Sequence, residues 1–133
     1  MPLRYLLILA PLLLAPLAQA DDCAQAADQR TMNACAAKDY QRSDAQLNAL
    51  YRQISERLKN NPEGKSALLT AQRAWLGFRD AECRFAASGV TGGSVYPMIH
   101  NQCLADVTAK RVEAFKTYLK CQEGDLSCPV PAR

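Results

Sequence analysis

The strongest constraint on this chain is a run from Thr31 to Lys59 that contains neither glycine nor proline. Within it Tyr40, Asp44, Leu47, Tyr51, Ile54 and Leu58 recur at spacings of four and three. That rhythm keeps them on one face of a helix and would scatter them over both faces of a strand, so the run predicts a long amphipathic helix. It stops at Asn60-Asn61-Pro62-Glu63-Gly64. Asn61 can cap a new helix there, with Pro62 at its first position and Glu63 near its positive end. This second helix is predicted from about Pro62 to Ala87, with Leu68, Gln72, Trp75, Leu76, Arg79 and Cys83 along one side and Ser88-Gly89 ending it. After the glycine-rich stretch Ser88 to Ser94, Ser94 is the expected cap of a third helix. That helix carries Cys103, Leu104, Val107, Thr108, Arg111, Phe115 and Leu119 on one face and tolerates Pro97 in its first turn.

Short connections make consecutive helices antiparallel neighbours. The expected fold is therefore all-α: a small antiparallel three-helix bundle, up-down-up, stapled by disulfides. No segment alternates as a strand would. The tail from Cys121 to Cys128, followed by Pro129 and Pro131, reads as a small self-closed loop ending in a frayed terminus.

The first twenty residues carry one cation, Arg4, then an apolar run from Tyr5 to Leu17, and end in Ala18-Gln19-Ala20. That pattern predicts a signal peptide cleaved after Ala20 and an exported, periplasmic or secreted product. Pro11 and Pro16 interrupt the run, which is too short for a membrane span. Asp21 and Asp22 separate the cleavage site from Cys23, so no lipid anchor is expected. The expected organisation is 1–20 leader, 21–120 helical domain and 121–133 looped tail. Losing Arg4 lowers the formal charge from +3 to +2, which points to neither nucleic acid nor anionic lipid.

All six cysteines, Cys23, Cys35, Cys83, Cys103, Cys121 and Cys128, lie after the leader, and an even count in a small exported domain reads as a disulfide framework. Many pairings are open to six cysteines. Local pairing is the expectation: Cys23 with Cys35, Cys83 with Cys103 across the glycine-rich loop, and Cys121 with Cys128. Closing a loop of about twenty residues stabilises by roughly 3 kcal/mol on the chain-entropy model. With no CxxC pair and a single histidine, His100, no metal or other cofactor is expected.

Asp44, Gln72, Arg79, Thr108 and Arg111 fall at core-facing helical positions, where an unpaired charge is very costly. They predict an internal polar network, with the Asp44 carboxylate between two guanidiniums. Trp75, on the face with Leu68 and Leu76, is the expected core anchor. Asp80 and Glu82, two apart on a helix, point in different directions and cannot flank one glycosidic bond. His100 has no nucleophile in a recognisable arrangement, so no catalytic machinery is expected and the chain reads as a non-enzyme. The loop Gly89 to Ser94 lacks the lysine and the preceding strand of a phosphate cradle. Exposed and held by a disulfide, it is the best place for a contact surface, with Ser88, Thr91, Ser94, Tyr96 and His100 as candidate binding residues; a plain connector is the competing reading.

Cys23, Met32-Asn33-Ala34-Cys35-Ala36, Tyr40, Asp44, Leu47-Asn48, Tyr51, Gln72-Arg73-Ala74-Trp75, Phe78-Arg79-Asp80-Ala81-Glu82-Cys83, Gly93-Ser94, Cys103-Leu104, Thr108 and Arg111 occur in that order. This set resembles the LprI-like lysozyme-inhibitor N-terminal domain family over roughly residues 23–119. The resemblance implies an exported helical domain. It also implies a possible partner, lysozyme, whose cleft the stapled loop would enter. Unlike the lipoprotein for which the family is named, this chain lacks the lipid-bearing cysteine. The alternative is an envelope interaction or ligand-binding module with some other partner. An acidic patch beside the loop would favour inhibition, and an exposed apolar groove between helices would favour the alternative.

Overall fold

The computed structural model describes residues 21–132. The segment 1–20, where the leader is expected, and residue 133 lie outside the described residues. A short turn, α1 (Asp21–Ala24), precedes three long helices: α2 (Gln29–Arg57), α3 (Pro62–Ala86) and α4 (Tyr96–Leu119). Among the described residues there is no strand, and no helix is long and apolar enough to cross a membrane.

Local chemistry sets the helix starts. α2 begins two residues earlier than Thr31 because the Asp28 carboxylate accepts a hydrogen bond from the Thr31 amide at 3.0 Å. That contact also holds the Asp28 carboxyl below the usual carboxylate range. At α3 the Asn61 side chain accepts from the Gly64 amide at 3.0 Å, with Pro62 opening the helix and Glu63 in its first turn. Ser94 does not cap α4. The helix starts later, after a turn through Gly92 at φ +80, Val95 holds the N-cap position without a side-chain bond, and Ser94 is left outside. The Ser94 carbonyl instead accepts from Asn33 Nδ2 of α2 at 2.9 Å.

That bond joins the starts of α2 and α4, and Arg57 Nη1 joins their ends by donating to the Leu119 carbonyl at 2.9 Å. The two helices therefore run parallel and pack most closely, along faces that include the small residues Ala36 and Ala105. α3 runs antiparallel to both and packs mainly on α4, with the large side chains of Trp75 and Arg79 at its inner face against Arg111 of α4. The apolar core, made of Leu47, Ile54, Leu58, Val112, Phe115, Cys121 and Val130, sits toward the end where α2 and α4 finish.

Disulfides join Cys23 to Cys35, Cys83 to Cys103 and Cys121 to Cys128, with Cα separations of 5.5, 5.4 and 5.7 Å. The last of them corrects the reading of the tail as frayed. Gly124, at φ +87, and the Cys121–Cys128 bridge turn the chain back on itself, and Val130 is buried at 3% exposure within the core cluster. An apolar side chain just beyond a closed loop is carried back to the core it would otherwise leave.

Candidate functional site

The link between α3 and α4 is the most elaborated end of the bundle. Cys83, fully buried, ties α3 to Cys103 of α4, and a 3-10 turn over Ser88–Val90 follows at once. The Thr91 hydroxyl donates to the Ser88 carbonyl at 3.0 Å, closing that turn. Ser88, Thr91 and Ser94 are all exposed, whereas Tyr96 and His100, one helical turn apart on α4, are half-buried. Their rings stack with centroids 5.3 Å apart and planes 13° apart. On the α2 side Gln29 Nε2 donates to Asn33 Oδ1 at 2.8 Å, which steadies the asparagine that holds the Ser94 carbonyl. The five loop residues singled out from sequence thus share one end of the molecule, anchored to both neighbouring helices.

Sequence reasoning missed two aromatic side chains beside this end. Phe85, in the last turn of α3, is 75% exposed, and Phe78, two turns earlier, is 56% exposed. The signal was present: both lie off the repeat Leu68, Gln72, Trp75, Arg79, Cys83 that turns α3 toward the core. Singly exposed apolar side chains are ordinary on a folded surface, but these two aromatics, seven residues apart, share one side of α3.

The polar residues of the inner faces meet halfway along the bundle, with different partners from those expected. Arg79, 6% exposed, donates from Nη1 to Asp44 Oδ1 at 3.3 Å and from Nε to Asp80 Oδ1 at 3.0 Å. One guanidinium therefore sits between two carboxylates, which reverses the expected arrangement of Asp44 between two guanidiniums. The reason is reach: the second arginine, Arg111, donates from Nε to Gln72 Oε1 at 3.1 Å and lies over Phe115 at 4.6 Å, away from Asp44. Trp75 is half-buried between the two cations, 5.3 Å from Arg79 and 5.8 Å from Arg111. Tyr40 flanks Arg79 on the other side at 5.3 Å. Burial pushes its hydroxyl pKa up, against the opposing pull of Arg79. Thr108 is fully buried at the same level, but its hydroxyl has no hydrogen-bond partner and does not join the network.

Nothing in this layer pairs a nucleophile with a base, and its cations are held by carboxylates, an amide and aromatic faces. Its chemistry is that of a spacer between helices.

Comparison with known proteins agrees with this architecture. A crystal structure of a DUF1311 family protein from Pseudomonas putida superposes with a TM-score of 0.62 at 26% identity, covering 68% of this chain and 92% of that one. An uncharacterised protein of Rhizobium meliloti is 35% identical in a 113-residue alignment that covers 77% of this chain and 81% of the relative. The family model described as lysozyme inhibitor LprI matches residues 20–115, most of the helical part of the chain. By that match and that relative, the chain belongs to the LprI lysozyme inhibitor family.

Proposed function

We propose that this chain is an exported, non-catalytic protein that binds a lysozyme and occludes its cleft, using the stapled loop end as the contact. The observation that carries the reading is the joining of an inhibitor-family match to a rigid, exposed loop with an unburied aromatic at its base. Phe85 would be the anchor, because a large aromatic already exposed gains most from burial against a partner. Ser88, Thr91 and Ser94 supply hydrogen-bonding groups around it. The stacked pair Tyr96 and His100 makes the floor, and the disulfide removes much of the ordering cost of binding. With the leader gone, the formal charge of +2 offers a basic enzyme no acidic field, so the contact rests on shape and apolar burial. Cleavage after Ala20 and residence in the periplasm or outside the cell belong to the same reading.

The second reading, a module for another envelope protein, is favoured by an apolar cleft between the helices at the far end of the bundle and by the exposed aromatics of α3. Phe78 and Phe85 lie two turns apart on the exposed side of α3, a pattern suited to a partner that lies along the helix.

A lytic assay separates the two. Oxidised residues 21–133 are titrated against several lysozyme classes beside Phe85→Ala, Phe78→Ala and Ser94→Ala/Tyr96→Ala variants. Under the inhibitor reading lysis falls with dose, and potency drops at least tenfold in Phe85→Ala and in the loop variant but not in Phe78→Ala. Absence of inhibition in every class at protein well above the enzyme concentration would reject it and leave the second reading.

A further inference from the structure

At the end of the bundle opposite the loop, a cleft of about 240 Å³ opens between the end of α2, the start of α3, the end of α4 and the returning tail. Its accessible walls are carbon, from Ala67, Leu68, Ala71 and Pro129 with the ring of Tyr118 beside them, and the buried Ile54, Leu58 and Val130 lie beneath. The one charged side chain in the lining is Arg111. Gln72 engages its Nε and Phe115 covers one face, but its two terminal nitrogens have no hydrogen-bond partner among the described residues. None of the ion pairs among those residues includes it. Partial burial pulls its pKa below the ordinary arginine value, while its terminal nitrogens still reach solvent and are open to an anion. Arg79 on α3 makes the contrast, since it is held by two carboxylates.

We propose that this cleft binds a small apolar monocarboxylate, with the hydrocarbon against Ala67, Leu68, Ala71 and Pro129 and the carboxylate on the free edge of Arg111. Charge complementarity selects the head group: a guanidinium whose two terminal nitrogens are open matches the two oxygens of a carboxylate. Volume selects the size. A cavity of roughly 150 Å³ accommodates a benzene ring, so one of this volume holds about ten heavy atoms, the size of octanoate. The tail matters to the site because Pro129, carried back by the Cys121–Cys128 loop, supplies one wall. The cleft is remote from the loop end, so carboxylate binding and lysozyme inhibition stand or fall separately.

Trp75, the single tryptophan of the chain, lies 5.8 Å from the Arg111 guanidinium carbon, so its emission reports occupancy. Oxidised residues 21–133 are titrated with sodium octanoate and, separately, with the uncharged octanol. The expected result is a saturable emission change, half-complete near 0.1–1 mM octanoate, as about ten heavy atoms of ordinary ligand efficiency provide, with octanol at least tenfold weaker. Arg111→Met should lower octanoate affinity at least tenfold and leave octanol unchanged. Because Arg111 also packs on Phe115, a second variant, Ala71→Phe at the exposed rim, fills the cleft without touching the core and should abolish binding at an unchanged melting temperature. Equal binding of octanoate and octanol, a linear response without saturation, or an undiminished octanoate titration in Ala71→Phe would each overturn the proposal.

Discussion

Where α2 and α4 end, the helices meet through Leu47, Ile54, Leu58, Val112 and Phe115, whereas halfway along the bundle α3 meets them through a polar set, Asp44 with Arg79 and Gln72 with Arg111, around the ring of Trp75. The apolar part is closed by the tail, which brings Val130 into it. In the polar part Asp44 and Asp80 stay partly in water while Arg79 is almost wholly buried between them. The difference teaches how a small domain divides two tasks. Burial of carbon supplies most of the stability, in proportion to the area removed from water. The polar layer supplies little net free energy, because desolvating the ions offsets their attraction, but it restricts which helix faces can meet and at what spacing.

The most direct way to break this comparison is Phe115→Ala. Phe115 is fully buried and touches both parts through Tyr51, Tyr118 and Arg111. Its removal is expected to cost about 4 kcal/mol in urea unfolding of the oxidised chain. A loss below about 1 kcal/mol would show that the apolar end is not the main source of stability. A smaller effect of opposite sign is expected at Thr108→Val. The hydroxyl it removes is fully buried and unpartnered, so the near-isosteric valine should stabilise by about 1 kcal/mol, read as a rise of several degrees in melting temperature. A fall would mean that the hydroxyl has a partner in solution.

The smallest effect is expected at Asp44→Ala. The Asp44 side chain is 37% exposed, and Asp80 still pairs with Arg79 when it is gone, so the loss should be about 0.5 kcal/mol. A loss above about 3 kcal/mol would instead mean that Arg79 depends on Asp44 alone and that the polar layer carries a large share of the stability.

Much of this layout was legible in the amino-acid order. The inward faces of all three long helices follow from spacings of three and four. The cap at Asn61 follows from the Asn-Pro-Glu-Gly run, and the inner polar set was visible as charges at core-facing positions. The exposed Phe78 and Phe85 were equally visible, as aromatics off the inward face, but an exposed face gives no sign of its own until the packing partners of the other faces are known.

The amino-acid order by itself determined where each helix runs and which side of it faces inward, because periodicity and capping act over one or two turns of chain. Tertiary structure alone decided the rest. It packed α2 on α4 far more closely than on the α3 that follows it, gave Arg79 rather than Arg111 to Asp44, and returned Val130 to the core. It also left Arg111 at an apolar cleft with open donors. Each of these depends on distances between atoms far apart in the chain. Side chains that could reach several partners settle on the one that the packed backbones place within about 3 Å.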